Sequence, residues 1–175
     1  MGVRQRRVVG AVLKVPLDAC WHAYAWTLPE VDFALLDLRT DTDLPVAEIV
    51  THAVAFRIGV NSSAYLDGRW LRVGKVAPPP AVLAPVPKFI RDPISGRFSI
   101  YSAGDICRAT RAECVGLERC AVWAPEHVED RLRDHFAGRR NKWVESLAMP
   151  PDAEPGAAAD DGGTQVSDTL KCVSA

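Results

Sequence analysis

Short apolar stretches, several of which alternate with a period of two residues, run through the first sixty residues of the chain. In residues 8–15, for example, the apolar side chains of alternate residues fall on one face if the segment is extended. Similar stretches follow at residues 20–28, 31–38 and 54–60, with turn-forming residues between the first two. The first three strands in series predict a meander. We therefore expect a mainly β chain.

A hairpin and a capped turn are predicted further along the chain. The turn-forming residues from Asp92 to Gly96 separate two short strand patterns, which is typical of a hairpin. Thr110 and Glu113 have the spacing of a capping box, in which each side chain bonds a backbone N–H that would otherwise lack a partner. We expect a single helical turn there, ending at Gly116.

One amphipathic helix is predicted after a strand at residues 117–123. Pro125 can begin this helix because its missing N–H would have no partner in the first turn, and Gly138 can end it. Its buried stripe is formed by every fourth residue: Val128, Leu132 and Phe136. Nothing in this pattern requires a function beyond packing.

Three shorter segments are expected to interrupt the strands. Asp43 can cap, and Pro45 can begin, a helix of about two turns. The pair Asp67-Gly68 suits a two-residue turn before the next strand, because both residues tolerate positive φ. The proline-rich connector at residues 78–87 is predicted to be extended and polyproline-like, since its rings fix φ and remove hydrogen-bond donors.

Length and composition limit the number of domains. The chain has 175 residues, of which 48% are apolar and 25% are charged, so we expect one core and one β-rich domain at residues 1–149. From Pro150 onward the composition lacks aromatic residues and aliphatic periodicity. Residues 150–175 are therefore interpreted as a disordered acidic tail.

Charge and apolar run length argue against two classes of protein, nucleic-acid binders and membrane-spanning proteins. The whole chain has a net charge of −1, and the tail has five acidic residues and one lysine, so the body has a net charge of +3. This value is too small for the clustered cationic surface of a nucleic-acid binder. No segment reaches the roughly 18 apolar residues of a membrane span, so no membrane partner is expected.

Candidate catalytic and metal-binding residues are few. His127 and His135 are eight residues apart on the predicted helix, about 12 Å of rise, which is too far for one metal ion. Cys107, Cys114 and Cys120 are expected to be buried structural thiols. An odd number of irregularly spaced cysteines favours reduced thiols and a cytoplasmic protein. We expect no catalytic residues, no cofactor and no metal, because no nucleophile, phosphate-binding or metal-binding motif is present.

Five tryptophans are many for a domain of this size, and this residue is frequent both in cores and at binding hot spots. Most of them are expected in the core. Trp143 is the expected exception, because it lies beside a small basic cluster formed by Arg139, Arg140 and Lys142.

Several short motifs recur in an order that is known from one protein family. They are Pro16-Leu17 after the first strand, Asp37 and Leu44 around the acidic loop DLRTDTDL, the triplet Gly68-Arg69-Trp70, and Asp92-Pro93 with Gly96. With these motifs, residues 7–101 resemble the immunity protein 26 family of bacterial polymorphic toxin systems.

The resemblance implies a cytoplasmic binding protein that neutralises a cognate protein toxin by direct occlusion, without catalytic turnover. It also implies a mainly β architecture, such as a small SH3-like barrel. Together with the patterns above, we expect a β-rich α+β fold: a small SH3-like barrel or a strongly bent antiparallel sheet, with short helices and one C-terminal amphipathic helix. The acidic loop and the triplet place the expected partner surface around Arg39, Asp41, Asp43 and Trp70. Two alternatives remain open: a small enzyme with a Cys and His pair, and a nucleic-acid or peptide adaptor that uses the proline connector or residues 139–143.

Overall fold

Ten strands in two sheets account for most of the regular structure in residues 5–151, which are the residues described by this computed structural model. The strands are β1 (Ala11–Pro16), β2 (His22–Thr27), β3 (Asp32–Thr40), β4 (Val54–Val60), β5 (Leu71–Lys75), β6 (Lys88–Arg91), β7 (Phe98–Ser102), β8 (Asp105–Ala109), β9 (Glu118–Arg119) and β10 (Val122–Trp123). The helices are α1 (Val46–Ile49), α2 (Ser63–Leu66), α3 (Pro80–Leu83), α4 (Pro125–Phe136) and α5 (Lys142–Leu147), with a 3-10 turn at Ala112–Cys114.

The larger sheet has the strand order β10-β4-β3-β2-β1-β5, and the smaller sheet has the order β8-β7-β6-β9. Strands β1 to β3 form the predicted meander, and β4 extends it, with each strand antiparallel to the next. The prediction of a β-rich α+β fold is confirmed. Neither sheet closes into a barrel, because β10 and β5 lie at opposite ends of the larger sheet and do not pair with each other.

Both faces of the larger sheet are covered. One face packs against α2, α4 and Trp70, and the other packs against α1 and the segment that follows β5. As a result all six residues of β2 are buried. Double coverage explains why β2 and β3 read as nearly continuous apolar runs and do not alternate cleanly between apolar and polar residues.

The amphipathic helix forms as predicted. Helix α4 begins at Pro125, buries Val128 and Leu132, and is followed by Gly138 with φ of +64°. Phe136 is partly buried against the same core. The positive φ at Gly138 suits a residue without a Cβ, so the helix ends where the sequence predicts.

The predicted hairpin and capping box are also confirmed. Strands β6 and β7 pair antiparallel across a turn in which Asp92 Oδ1 accepts bonds from the backbone N–H groups of Ile94 and Ser95, at 2.9 and 2.6 Å. Glu113 Oε2 accepts from the backbone N–H of Thr110 at 2.7 Å, and Thr110 Oγ1 accepts from that of Glu113 at 3.3 Å. Both segments therefore carry their own local hydrogen-bond partners.

Several local predictions are wrong. Asp43 does not cap α1, which has only four residues, because the carboxylate of Asp43 bonds Lys14. The Asp67-Gly68 pair does not join two paired strands. It follows the single turn of α2, and β5 crosses to pair with β1.

The proline connector and the strand predicted at residues 117–123 also differ from expectation. The connector is not extended throughout, because Pro80 begins the four-residue helix α3. Residues 117–123 form two separate short strands: β9 is parallel to β6 in the smaller sheet, and β10 is parallel to β4 in the larger one. This segment therefore contributes to both sheets.

The predicted tail at residues 150–175 lies outside the described residues apart from its first two positions. Within residues 5–151, no helix is long and apolar enough to cross a membrane.

Candidate functional site

The turn between β1 and β2 is held by hydrogen bonds from both its backbone and one side chain. The carbonyl oxygen of Trp21 accepts from the backbone N–H groups of Leu17 and Asp18, at 3.0 and 3.2 Å. Asp18 Oδ1 accepts from those of Cys20 and Trp21, both at 2.8 Å. These bonds hold the pKa of Asp18 below its ordinary value. The turn therefore has a defined shape and exposes the side chains of Cys20 and Trp21.

Trp21 and Arg39 form a stacked pair on the outside of this turn. The indole of Trp21 is 37% exposed. The guanidinium carbon of Arg39, in β3, lies 4.6 Å from the centroid of the Trp21 ring and 5.9 Å from that of Phe136 at the end of α4. A cation over an aromatic face is attracted by the ring quadrupole. Three elements of the fold thus position one exposed indole and one guanidinium.

A polar cluster lies next to this pair. Lys14 Nζ donates to Asp43 Oδ1 at 2.5 Å, and this bond holds the pKa of Asp43 below its ordinary value. His22 is buried, with its Nε2 at 3.0 Å from the hydroxyl oxygen of Tyr24 and 3.8 Å from Asp43 Oδ1. Burial, and then the charge of Lys14, lower the pKa of His22. The imidazole is therefore neutral at neutral pH, and the carboxylate is balanced by Lys14 alone.

Lys14 and Trp21 line one cavity beside the turn, Arg39 stacks on Trp21, and Asp43 pairs with Lys14, so we call this group of residues the turn face. It consists of Lys14, Trp21, Arg39, Asp41 and Asp43. Asp41 is exposed in the loop that follows β3. A cavity of about 260 Å³ lies between the turn and β5, lined by Trp21 on one side and by Leu71 on the other. The turn face thus combines an exposed aromatic ring, charged groups and a recess beside them.

The structure brings three of the four predicted contact residues onto this surface and corrects the placement of the fourth. Arg39, Asp41 and Asp43 are exposed, whereas Trp70 is 0% exposed in the core. The indole N–H of Trp70 donates to Glu129 Oε1 at 2.9 Å. Its side chain therefore joins the sheet to α4 and is not available to a partner.

The triplet Gly68-Arg69-Trp70 has a structural role for the same reason. Arg69 donates to the two carboxylate oxygens of Glu129 at 2.6 and 2.7 Å. Glu129 is only 2% exposed, and a buried carboxylate needs such partners. The triplet supplies three of the hydrogen bonds that hold α4 against the sheet.

Cys20 and His22 line the same cavity beside the turn, whereas Cys114, Cys120, His127 and His135 lie in other parts of the fold. Cys114 is buried, and burial raises the pKa of both its thiol and that of Cys120. The ring of His127 stacks on Trp143 with centroids 3.5 Å apart, and His135 Nε2 lies 2.9 Å from Asp37 Oδ1. Among residues 5–151, no three histidine, cysteine or acidic side chains cluster closely enough to hold a metal ion.

The basic cluster at residues 139–143 is engaged in internal contacts. Arg139 pairs with Asp134 at 3.0 Å, and Arg140 pairs with Glu145 at 2.5 Å. Trp143 is half-buried, and Lys142 lies 4.7 Å from its ring centroid. These pairs reduce the positive potential that a nucleic-acid phosphate would meet, so the cluster does not favour the adaptor alternative.

Trp21 is the residue that sequence reasoning missed. The expected exposed tryptophan was Trp143, yet Trp21 is the more exposed of the two. A local signal was present in the sequence, because Asp18 lies three residues before Trp21 and an aspartate at that spacing commonly bonds backbone N–H groups in a turn. An aromatic residue at the end of such a turn precedes the strand and need not enter the core.

Comparisons of this chain with protein-family models, with curated proteins and with solved structures gave no significant match.

Proposed function

We propose that this chain is an immunity-type binding protein that neutralises a cognate protein toxin by direct occlusion, with the turn face as the contact surface. The motifs by which residues 7–101 resemble the immunity protein 26 family support the class of function. The geometry of the turn face supports its location, because the acidic loop of that resemblance lies within it.

The stacked pair of Trp21 and Arg39 is the observation that carries this proposal. Tryptophan and arginine are the residue types that most often dominate binding energies at protein interfaces. The hydrogen-bonded turn and the cation–π contact already hold both side chains in the unbound chain. Little side-chain entropy is then lost when a partner covers them, which favours tight binding.

The charged residues around the pair suit the rim of an interface. Lys14 and Asp43 neutralise each other, so covering them does not isolate a single charge. Polar groups of this kind exclude water from a central aromatic anchor and contribute to specificity more than to affinity. The turn face is therefore proposed to bind with Trp21 at its centre.

The test uses, as the candidate toxin, the protein encoded by the neighbouring coding sequence. Affinity would be measured by titration calorimetry, and protection by growth of cells that express the toxin. We expect Trp21→Ala to weaken binding by about thirtyfold or more, as for a central anchor. The melting temperature should change little, because the cation–π contact at an exposed site contributes only about 0.5–1 kcal/mol.

Ile94→Ala is the matched control, since Ile94 is an exposed apolar residue at the tip of the β6–β7 turn. Equal binding by the two variants would refute the turn face as the contact surface. Absence of both binding and protection in the unmodified chain would refute the immunity function itself. A catalytic turnover that disappears on replacement of Cys20 or His22 would instead support the enzyme alternative.

A further inference from the structure

A second cavity, of about 380 Å³, lies between the smaller sheet and α5. Phe89 and Trp123 form its buried floor, and Leu117, Val144 and Leu147 form its walls. It shares no lining residue with the cavity beside the turn face. Its size lies within the range of about 300–1,000 Å³ that is common for small-molecule sites, and such sites are mostly apolar with a few polar groups.

The charged side chains in the lining differ in whether they have hydrogen-bond or ion-pair partners. Glu118 accepts two hydrogen bonds from the guanidinium of Arg131, at 3.0 and 2.5 Å, so its charge is balanced. The side chain of Arg119 is half-buried, and within the described part of the chain it has no hydrogen bond, ion pair or ring contact. The cavity therefore combines apolar walls with one guanidinium, that of Arg119, that lacks a partner among the described residues.

The pairing of β6 with β9 determines where the side chain of Arg119 lies relative to the cavity. The two strands are parallel, and Phe89 is the partner of Arg119 in their register. Neighbouring residues in paired strands lie on the same face of a sheet. The guanidinium thus shares a face with the aromatic floor of the cavity.

From this combination we infer that the cavity binds a free amphipathic monocarboxylate of the fatty-acid class. Its tail lies against Phe89 and Trp123, and its carboxylate accepts two N–H groups of Arg119. A fork-like pair of this kind is among the stronger polar contacts in proteins. A neutral apolar ligand would leave the guanidinium without a partner, and a cationic one would be repelled. This site is independent of toxin binding at the turn face.

Octanoate is the probe for the test, with octanol and octylammonium as ligands of similar length and different charge. Titration calorimetry on the full chain should show saturable one-to-one binding of octanoate, and binding at least about tenfold weaker for the other two. Arg119→Gln should weaken octanoate binding about tenfold or more, because the loss of a charge-assisted hydrogen bond lowers affinity by at least that factor. Arg91→Gln, on β6 and outside the lining, should leave it unchanged.

A second pair of variants tests the position of the carboxylate without altering the arginine. Val115 and Val122 are both well exposed, but only Val115 lines the cavity. A negative charge at the mouth should repel the ligand, so Val115→Glu is expected to weaken octanoate binding severalfold, while Val122→Glu is not. Both variants should keep the fold, because neither valine is in the core.

Four results would overturn the inference. One is the absence of saturable octanoate binding, and another is equal octanoate affinity in Arg119→Gln and the unmodified chain. The third is tighter, Arg119-dependent binding of a synthetic peptide of residues 152–175, which would assign the cavity to a segment of this chain. Loss of toxin binding in Arg119→Gln without any octanoate binding would likewise assign it to a protein contact.

Discussion

Replacement of Glu129 by alanine tests the packing of α4 against the sheet. The carboxylate of Glu129 accepts three hydrogen bonds, two from Arg69 and one from the indole of Trp70. Glu129→Ala removes all three. The Trp70 N–H is then left buried without a partner, whereas the side chain of Arg69 is 43% exposed and can be hydrated.

The expected cost follows from these different exposures. A buried donor without a partner costs about 1–3 kcal/mol. Removing one member of a fully buried ion pair costs about 3–5 kcal/mol, and the exposure of Arg69 reduces that contribution. We therefore expect Glu129→Ala to lower the free energy of unfolding by about 2–4 kcal/mol. For a chain of this size, the melting temperature would fall by about 5–15 °C.

Urea and thermal unfolding followed by circular dichroism would measure this change. Glu126→Ala is the matched control, because Glu126 also lies on α4 near Arg69, at 3.9 Å, but its side chain is 58% exposed. An exposed pair of this kind contributes about 0–1 kcal/mol. If Glu129→Ala lowers the free energy of unfolding no more than Glu126→Ala does, the buried carboxylate does not hold α4 against the sheet. The structural role given to the triplet Gly68-Arg69-Trp70 is then refuted.

Two further predictions concern pH and backbone geometry. Burial lowers the pKa of His22 below its ordinary value of 6.5. Just below pH 6.5 the unfolded chain therefore protonates this histidine while the folded chain does not. The free energy of unfolding should then fall as the pH drops below about 6.5. Urea unfolding between about pH 5 and 8 should show a smaller pH dependence in His22→Gln, and an unchanged slope would contradict the assignment. Gly10→Ala should destabilise the chain by about 1 kcal/mol or more beyond Gly104→Ala, because both glycines have positive φ but only at Gly10 would a Cβ lie 2.7 Å from the Val76 carbonyl oxygen. Equal thermal stabilities of these two variants would show that the contact at Gly10 relaxes freely.

Local patterns predicted local structure well. The hairpin at Asp92, the capping box at Thr110 and the bounds of α4 are all encoded within a few neighbouring residues, and the structure has each of them. The meander of β1 to β3 was also predictable, because consecutive strands with short connections pair with each other.

Long-range pairing was not predictable from those patterns. Strand β5 pairs with β1, and residues 117–123 divide between the two sheets. Neither arrangement has a signal in the neighbouring sequence, because each depends on which edges remain free once the meander has formed. The burial of Trp70 was missed for a similar reason, since its partner Glu129 lies 59 residues away along the chain.

The candidate site was predicted in part. An acidic loop at Asp41 and Asp43 and the nearby Arg39 were expected on the surface, and they are exposed. Trp21 was not expected there, because an indole next to an apolar strand is more often a core residue. Its exposure depends on the hydrogen bonds of Asp18, which periodicity alone does not report.

The parallel pairing of β10 with β4 also has a consequence for synthesis on the ribosome. Strands β1 to β4 are complete once residue 60 has emerged, but the outer edge of β4 at Gly59 and Val60 remains unpaired until Trp123 follows. During that interval the nascent chain has an open sheet edge, the kind of surface that neighbouring chains can pair with. The order in which these segments leave the exit tunnel thus leaves the growing polypeptide vulnerable to misassembly for more than sixty residues of elongation.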